Sequence, residues 1–426
     1  MIALGQARQR VLEQFTELPS RRVLLDQARR CVLADAIIAR EAVPPFANSA
    51  MDGYALRAED VTRAPTRLNV VGTIMAGDAP TIGLGPGDAV RIMTGAPLPT
   101  GADTVCMFEH TLSDDNSGIV VIENPMAAGT NVRLTGEDVA AGAGLFPAGT
   151  EVTPAHLGVL ASLGMTTVCV HPHPVVGVLS SGDELVEGPA PLRPGKIRDA
   201  NRPALLAAVQ EAGCDTIDLG IVSDDQSAMT AAVEDAATRC DALIISGGVS
   251  VGDRDMVKVV LDKLTAGAME WLQVAIRPAK PLAFGILAGT GTPVVGLPGN
   301  PVSAVVGFEL FVRPGLRRMA GHRHLERPIV VATADADLDR RRDGKLHLVR
   351  VIATTGPGGQ FRLRPSGGQG SHQLRAMAAA NALALVPDCD GVRRGDQVTA
   401  LLLDTGGLTT AGLVDLEVVA CQPVHR

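Results

Sequence analysis

Between residues 174 and 321 the sequence alternates short apolar runs with longer amphipathic stretches. Runs such as 241–246 and 293–297 contain almost no polar residue, which is typical of strands that are buried on both faces of a sheet. The stretches between the runs have the spacing of amphipathic helices. This pattern predicts an α/β domain with a central parallel sheet that is covered by helices on both faces.

Individual elements of this domain follow from the same pattern. We expect strands at 174–179, 216–222, 241–246, 271–276, 282–287 and 293–297, and helices at 203–211, 224–239, 254–264 and 301–319. Asn201 is expected to cap the first of these helices, and either Asp224 or Asp225 the second.

The two flanks have a different character. Residues 48–138 and the region after Arg327 contain strand-like runs between glycine and proline turns, which predict an inserted β-rich domain and a C-terminal β-barrel or sandwich. Residues 8–33 and 154–163 have helical periodicity and predict helices. The basic run Arg340-Arg341-Arg342 is interpreted as a solvated turn. The chain is therefore expected to be multidomain, α/β plus β.

Composition excludes several classes of protein. The seven cysteines are odd in number and form no CxxC pair, which argues against a disulfide framework or a structural zinc site. A net charge of −8 and 2% aromatic residues argue against nucleic-acid binding. We found no apolar stretch near the ~20 residues that span a bilayer and no export signal, so a cytoplasmic protein without membrane contact is expected.

Four loops follow predicted strands of the α/β domain, where open sheets bind their ligands. They are residues 180–184 (SSGDE), 223–225 (SDD), 246–255 (SGGVSVGDRD) and 297–303 (LPGNPVS). Each loop alone is more often a structural turn, and Asp224 or Asp225 is also a good helix cap. The sequence lacks the GxGxxG and GxxxxGK[ST] patterns.

Together, the four loops favour an anion-binding site. Backbone amides at Gly247, Gly248 and Gly252, and those at the start of the helix after Asn300, could bind oxyanions. Acidic side chains beside phosphates need a hard cation between them, which indicates Mg²⁺; the candidates are Glu184, Asp224, Asp253 and Asp255. Arg277 and Lys280 could supply positive charge. From the residues alone, the prediction is Mg²⁺-dependent chemistry on a phosphorylated small molecule.

The same loops resemble the molybdopterin-binding domain of the MoeA family, to which the E domain of gephyrin also belongs. Further similar motifs are residues 48–55 (NSAMDGYA), 91–99 (RIMTGAPLP) and 136–138 (GED). Residues 277–281 (RPAKP) depart from the KPGKP that the family often has, which keeps the charge but replaces a lysine by an arginine. The resemblance runs from about residue 5 to the C-terminus.

The resemblance implies four domains: an elongated helical domain of residues 1–47 with 139–170, an inserted β-rich domain of 48–138, an α/β molybdopterin-binding domain of 171–321 and a C-terminal β domain of 322–426. It implies a homodimer in which one active cleft is shared between two subunits. It further implies a transferase that joins molybdate to adenylylated molybdopterin with Mg²⁺, releasing AMP and molybdenum cofactor. Other proteins of molybdenum cofactor biosynthesis are expected partners. The alternatives are a molybdopterin adenylyltransferase, which shares the α/β fold, and a non-catalytic scaffold of the gephyrin kind.

Residues are carried over motif by motif. The resemblance implies that the β-rich domain contributes Asp52, Thr94, Arg133 and Asp138, with Asp52 and Thr94 among the catalytic residues. The α/β domain would supply three acids for catalysis and Mg²⁺, namely Glu184, Asp224 and Asp255. The remaining binding residues would be Gly247, Gly248, Ser250, Arg277, Lys280, Pro298, Asn300, Pro301 and Ser303.

Overall fold

The computed structural model describes residues 1–79, 81–114, 117–248, 256–356 and 358–404. The chain divides into two compact units, one of residues 1–21, 30–32 and 171–426 and the other of residues 22–29 and 33–170. Residues 1–21, which were expected to share a domain with 139–170, lie in the first unit. The domain boundaries given above otherwise stay predictions.

Helices occur in both units, and none in the described ranges has the length and apolar character that crossing a membrane requires. They are α1 (Leu4–Glu13), α2 (Pro154–Ser162), α3 (Asn201–Glu211), α4 (Gln226–Ala237), α5 (Met256–Leu264), α6 (Pro301–Gly307), α7 (Arg313–Met319) and α8 (Leu374–Ala378). Thr153 caps α2, since its side chain accepts a hydrogen bond from the N–H of His156.

The strands are numbered in chain order. Those before residue 172 are β1 (Arg21–Leu24), β2 (Val32–Leu33), β3 (Ile37–Ile38), β4 (Asn48–Ser49), β5 (Gly53–Leu56), β6 (Thr66–Ile74), β7 (Asp88–Ile92), β8 (Thr104–Met107), β9 (Thr111–Asp114), β10 (Ile119–Ile122), β11 (Val132–Arg133), β12 (Gly144–Phe146) and β13 (Thr167–His171). Those after it are β14 (Val175–Ser181), β15 (Leu185–Val186), β16 (Ile197–Arg198), β17 (Asp215–Val222), β18 (Ala242–Ser246), β19 (Glu270–Gln273), β20 (Ile276–Arg277), β21 (Pro281–Ile286), β22 (Pro293–Leu297), β23 (Ile329–Ala334), β24 (Leu346–Thr355), β25 (Phe361–Pro365), β26 (Ala382–Val386) and β27 (Gln397–Leu402).

The predicted α/β sheet is confirmed. Its strand order is β17-β14-β18-β22-β21-β19, in which β17, β14, β18 and β22 run parallel. β21 and β19 add an antiparallel pair at one edge. The carboxyl ends of the four parallel strands therefore meet at one edge of the sheet, where ligands bind in folds of this class.

Both faces of this sheet are covered. On one face Val178 and Ile244 pack with Leu205 of α3 and Val306 of α6. On the other face the strands pack against α4 and α5, with Met229, Val233, Val257 and Val260 all buried. Because side chains alternate along each strand, fully apolar strands are needed to fill two cores at once.

The predicted long helix at 301–319 is present but changes pitch in the middle. α6 and α7 are joined by a π-helical stretch from Phe308 to Val312. Pro314 has no N–H to donate within the helix, and a local widening accommodates that loss. Gly315 gives room for the ring of Phe15, because a Cβ at this position would lie 2.5 Å from Phe15 Cδ2. Phe15, two residues after the end of α1, thereby packs into the core of the first unit.

Two sequence predictions were wrong in detail. The helix expected at 8–33 ends at Glu13, and the chain forms β1 at Arg21–Leu24. Pro19 cannot donate a helical hydrogen bond, and β1 instead pairs with β13. The strand expected at 271–276 is two strands, because β19 pairs with β21 of the α/β sheet and β20 pairs with β24 of the C-terminal sheet.

The C-terminal region is a closed five-stranded barrel, as predicted. The strands are hydrogen-bonded in the order β24-β25-β23-β27-β26, and β26 pairs again with β24 to close the ring. The interior contains small apolar side chains such as Ala334, Val351 and Ala384. β20 pairs with β24 on the outside, in parallel, which places Arg277 opposite His347.

The second unit contains a six-stranded sheet in the order β8-β5-β7-β6-β10-β9. β5 lies between β7 and β8, so residues 53–56 have a hydrogen-bonded strand on each side. The backbones come so close at Gly53 that a Cβ there would lie 1.9 Å from the carbonyl oxygen of Cys106. Only glycine fits at this position.

Candidate functional site

A cleft of about 700 Å³ lies at the carboxyl edge of the α/β sheet. All four of the predicted loops contribute to it, which brings together seven of the predicted site residues: Glu184, Asp224, Gly247, Gly248, Pro298, Asn300 and Pro301. Ser250 and Asp255, which were also predicted here, lie outside the described residues.

Asp224 is held in place by the neighbouring strand. Its Oδ1 accepts a hydrogen bond at 2.8 Å from the hydroxyl of Ser181, which is buried at the end of β14. The N–H of Asp224 donates to Asp183 Oδ1 at 3.2 Å, so the two loops are bonded to each other. Asp225 is the residue that caps α4, through the N–H of Ala228 at 2.8 Å. Asp224 is therefore left to face the cleft.

Two acidic side chains of the described residues could contribute to a metal site in the cleft. Glu184 and Asp224 both line the cleft and offer the carboxylate oxygens that Mg²⁺ prefers. No group of three or more histidine, cysteine, aspartate or glutamate side chains within the described ranges is arranged to hold a metal ion. Since the third expected ligand, Asp255, is outside those ranges, the metal assignment stays a proposal.

Gly247 has a role that differs from the one expected. Its N–H donates to the carbonyl of Leu297 at 3.0 Å and is therefore not available to an oxyanion. Its φ is +97°, and a Cβ would lie 2.5 Å from the carbonyl oxygen of Ser181. The glycine is needed to bring the chain between β14 and β22, and it shapes the floor of the cleft.

The start of α6 also differs from the expectation of free amides. Pro301 occupies the first turn, as predicted, and has no N–H. The N–H of Val302 donates to the carbonyl of Ser371 at 3.1 Å. The helix terminus therefore joins the loop around Ser371, and fewer of its donors face a ligand than the sequence suggested.

Asp199 and Asn201 are cleft residues whose roles the sequence did not predict. Asn201 was expected to cap α3, but the helix begins at Asn201 itself, and Asp199 accepts the N–H of Asn201 and of Arg202 at 3.1 Å each. The Asn201 side chain donates instead to Ser246 Oγ at 2.7 Å and to the carbonyl of Gly299 at 2.8 Å. It thus connects the third and fourth loops. Asp199 lies two residues before the start of the helix, and this position in the sequence could have identified it as the capping residue.

A second, basic pocket of about 270 Å³ lies next to the cleft, and Pro281 lines both. Its polar lining consists of Arg277, Lys280, Ser303, Lys345, Gln369 and Ser371. Three cationic side chains and several hydroxyl and amide groups fit a small oxyanion. The prediction named Arg277, Lys280 and Ser303 among the binding residues but missed the other three.

The missed residues come from the barrel. Lys345 comes shortly after the basic run 340–342, which was interpreted as a solvated turn. That interpretation was wrong for Arg340, because its side chain has no exposed surface. Gln369 and Ser371 belong to the glycine-rich loop 366–372 (SGGQGSH), and this composition could have indicated an anion-binding loop. Ala279 lies between Arg277 of β20 and Lys280 of the following loop. Its φ of +65° is in a region that favours glycine.

The second unit contains the other predicted group. Asp52 Oδ1 accepts hydrogen bonds from the N–H of Thr94 at 2.7 Å and from its hydroxyl at 2.8 Å. These two bonds hold the pKa of the exposed Asp52 carboxyl below its ordinary value. Arg133 pairs with Asn48 between β11 and β4, and the N–H of Asp138 donates to the carbonyl of Val43 at 3.0 Å. The side chains of Arg133 and Asp138 are exposed.

Three family models match successive parts of the chain. The family model "MoeA N-terminal region (domain I and II)" matches residues 2–164, "Probable molybdopterin binding domain" matches 177–318, and "MoeA C-terminal region (domain IV)" matches 333–403. A Haemophilus influenzae protein named molybdopterin molybdenumtransferase is 37% identical over 404 residues, which cover 94% of this chain and 98% of that protein. The chain belongs to the MoeA family.

Other MoeA-family proteins extend the comparison. Molybdopterin molybdenumtransferase 2 of Mycobacterium tuberculosis is 40% identical over 374 residues, covering 86% of this chain and 90% of that protein. A crystal structure of the molybdopterin biosynthesis moeA protein from Pyrococcus horikoshii OT3 is 28% identical, with a TM-score of 0.77 over 94% of this chain and 100% of that one. The multidomain MoeA fold therefore covers nearly the whole sequence.

Proposed function

We propose that this chain is a molybdopterin molybdenumtransferase, an enzyme that transfers molybdenum from molybdate into adenylylated molybdopterin and releases AMP. The observation that carries the proposal is the shared wall at Pro281 between a cleft of about 700 Å³ and a basic pocket of about 270 Å³. The cleft has room for a pterin with its phosphate, and the basic pocket suits a tetrahedral dianion such as molybdate. One substrate in each space would bring the reacting groups together across a single residue.

The mechanism in this proposal is placement with charge neutralisation. Arg277, Lys280 and Lys345 hold the molybdate oxygens, and Ser303 and Gln369 offer hydrogen bonds to it. The loops at Gly247 and Pro298 orient the pterin part in the cleft. Glu184 and Asp224, with Asp255 beyond the described residues, would hold Mg²⁺, which supplies charge neutralisation for the phosphoanhydride when bound.

The proposal includes a homodimer with shared sites and a cytoplasmic location. Asp52 and Thr94 belong to a different unit from the residues that line the cleft, which supports an active site completed by a second subunit. Co-expressed Asp52→Ala and Asp224→Ala chains should form heterodimers that recover part of the activity that each homodimer lacks. Heterodimers without recovered activity would contradict the shared site.

Activity is tested by incubating the full chain with adenylylated molybdopterin, Mg²⁺ and molybdate. We expect AMP release together with formation of molybdenum cofactor, both dependent on molybdate. Conversion of ATP and molybdopterin to pyrophosphate in the absence of molybdate would instead identify an adenylyltransferase. Absence of turnover with every substrate, in a folded protein, would favour the scaffold role.

A further inference from the structure

Three polar side chains donate hydrogen bonds to the carboxylate of Asp343, in the turn before β24. Asp343 Oδ2 accepts a hydrogen bond from Lys345 Nζ at 2.9 Å. Its Oδ1 accepts one from His347 Nε2 at 3.0 Å and one from Arg340 Nη2 at 3.2 Å. Asp388 is on the other side of Arg340 and accepts the N–H of Asp343 at 3.1 Å. The Asp343 carboxylate is therefore held from several directions.

Arg340 anchors this cluster. Its side chain has no exposed surface, and its Nη1 donates to the carbonyls of Lys345 at 2.8 Å and Val386 at 3.2 Å. An enclosed guanidinium with this many partners is fixed in one orientation. Because Arg340 bonds both to Asp343 and to the backbone of Lys345, the turn and its carboxylate form one rigid group.

Lys345 is the member of the group that reaches the basic pocket, together with Arg277 and Lys280. The parallel pairing of β20 with β24 places Leu346 opposite Ile276, so Lys345 stands at the end of that pairing, next to the segment that carries Arg277. Lys345 thus connects the Asp343 cluster to the pocket proposed above for the oxyanion. A lysine side chain is flexible and would lose much rotamer freedom on binding an anion unless it were already fixed.

We propose that Asp343 is a positioning residue for oxyanion binding: it fixes the Lys345 ammonium so that the remaining N–H donors face the pocket. This inference rests on the function proposed above. An ammonium has three donors, and Asp343 takes one of them. Arg340 and His347 satisfy the other oxygen of Asp343 and keep it from rotating.

A positioning role and simple charge repulsion predict opposite changes in molybdate affinity when the charge of Asp343 is removed. Bonds from Lys345 and His347 outweigh the effect of burial and hold the pKa of Asp343 at about 2, so the group is an anion at neutral pH. A carboxylate near a dianion repels it, and removing the charge should strengthen binding if repulsion were all that mattered. The same strengthening is expected if Asp343 merely draws Lys345 away from the pocket. Only positioning predicts that binding becomes weaker.

The test is calorimetric titration of the full chain with sodium molybdate. We compare the wild type with Asp343→Asn, Lys345→Met and the double variant, and use Asp343→Glu for rescue. Asp335→Asn is the matched control, because it removes the same charge from another ion pair of the barrel, that with Arg362. Thermal melting checks the fold of each variant, and Asp343→Ser replaces Asp343→Asn in the cycle if the amide destabilises the turn.

We expect Lys345→Met to weaken molybdate binding about tenfold and Asp343→Asn about fivefold, because an unfixed lysine must be ordered on binding. Asp343→Glu should recover part of the loss, Asp335→Asn should bind like the wild type, and Asp343→Asn should have no further effect once Lys345 is methionine. Equal or tighter binding by Asp343→Asn, with Lys345→Met still weakened, would overturn the positioning role alone. Unchanged binding by Lys345→Met would instead remove the oxyanion from this pocket and contradict the proposed function.

Discussion

The carboxylate of Asp52 is bound twice by Thr94, through its N–H at 2.7 Å and its hydroxyl at 2.8 Å. Both atoms bond to the same oxygen, Oδ1, so Oδ2 keeps its acceptor capacity for another group. Residues 48–55 and 91–99, which are far apart in sequence, are thereby joined through side chains as well as through the pairing of β5 with β7. The two signatures of the second unit form a single structural feature.

Replacing Thr94 by valine removes the hydroxyl but not the N–H. The pKa of Asp52 is lowered first by the N–H of Thr94 and second by its hydroxyl. In Thr94→Val we therefore expect the pKa of Asp52 to rise and yet to stay below the ordinary value, as followed by carbon NMR of the carboxyl group. Thr94→Ser keeps the hydroxyl and serves as the control. An unchanged titration in Thr94→Val would show that the hydroxyl contributes nothing.

Asp224 and Asp225 are neighbours with separate roles, which gives a matched pair of variants. Asp224→Asn should lose on the order of a hundredfold in turnover, because a carboxylate that acts in the cleft loses its charge. Asp225→Asn should stay active, because asparagine also caps helices well. Both variants should melt near the wild-type temperature. Full activity of Asp224→Asn would remove that residue from the catalytic group.

Gly53→Ala tests the close approach of β5 and β8. A Cβ at 1.9 Å from a carbonyl oxygen cannot be accommodated without moving one of the strands. We expect the free energy of unfolding to fall by about 2–3 kcal/mol, as for other overpacked sites. Gly144→Ala, where no atom lies within 4 Å of the added Cβ, is the control and should be close to neutral. Chemical denaturation measures both, and equal stability of the two variants would refute the steric argument.

His322 should make the stability of the protein depend on pH. Burial, assisted by Arg317 and Arg313, lowers the pKa of His322 to about 3. Since the unfolded residue titrates near 6.5, the unfolded chain binds more protons between these values, and stability that is complete above pH 6.5 is lost as the pH falls. The wild type should lose about 2 kcal/mol of unfolding free energy from this group between pH 7 and pH 5.

His322→Gln removes the titrating ring and should lose clearly less stability over the same interval, as measured by urea denaturation at the two pH values. His324→Gln alters an exposed histidine two residues further on and is expected to behave like the wild type. The same loss of stability in His322→Gln as in the wild type would show that other groups are responsible.

Local patterns were sufficient for most of the fold. The strands of the α/β sheet and the helix caps Thr153 and Asp225 follow from apolar runs and capping residues, which depend on near neighbours in sequence. The end of α1 was missed because the periodicity of 8–33 continues past Pro19, while the strand β1 is stabilised by a partner near residue 170. Secondary structure that is decided by a distant partner is not visible in a local pattern.

The site was predicted in part for the same reason. Loops at the carboxyl ends of parallel strands meet by topology alone, so Glu184, Asp224 and the proline loop could be grouped from the sequence. Whether a given amide is free depends on distant contacts, such as that of Gly247 with Leu297. Lys345, Gln369 and Ser371 reach the basic pocket only because the barrel contacts β20. No spacing in the sequence signals that contact.

The two-residue strand β20 affects the order in which the molecule matures during synthesis. Arg277 emerges from the ribosome with the α/β sheet, but its strand partner His347 and the pocket residues Gln369 and Ser371 are made much later. A nascent chain therefore has the residues of the cleft before it has those that complete the basic pocket. On the function proposed above, we expect a chain stopped short of the barrel to keep a place for the organic ligand and to be inert toward molybdate.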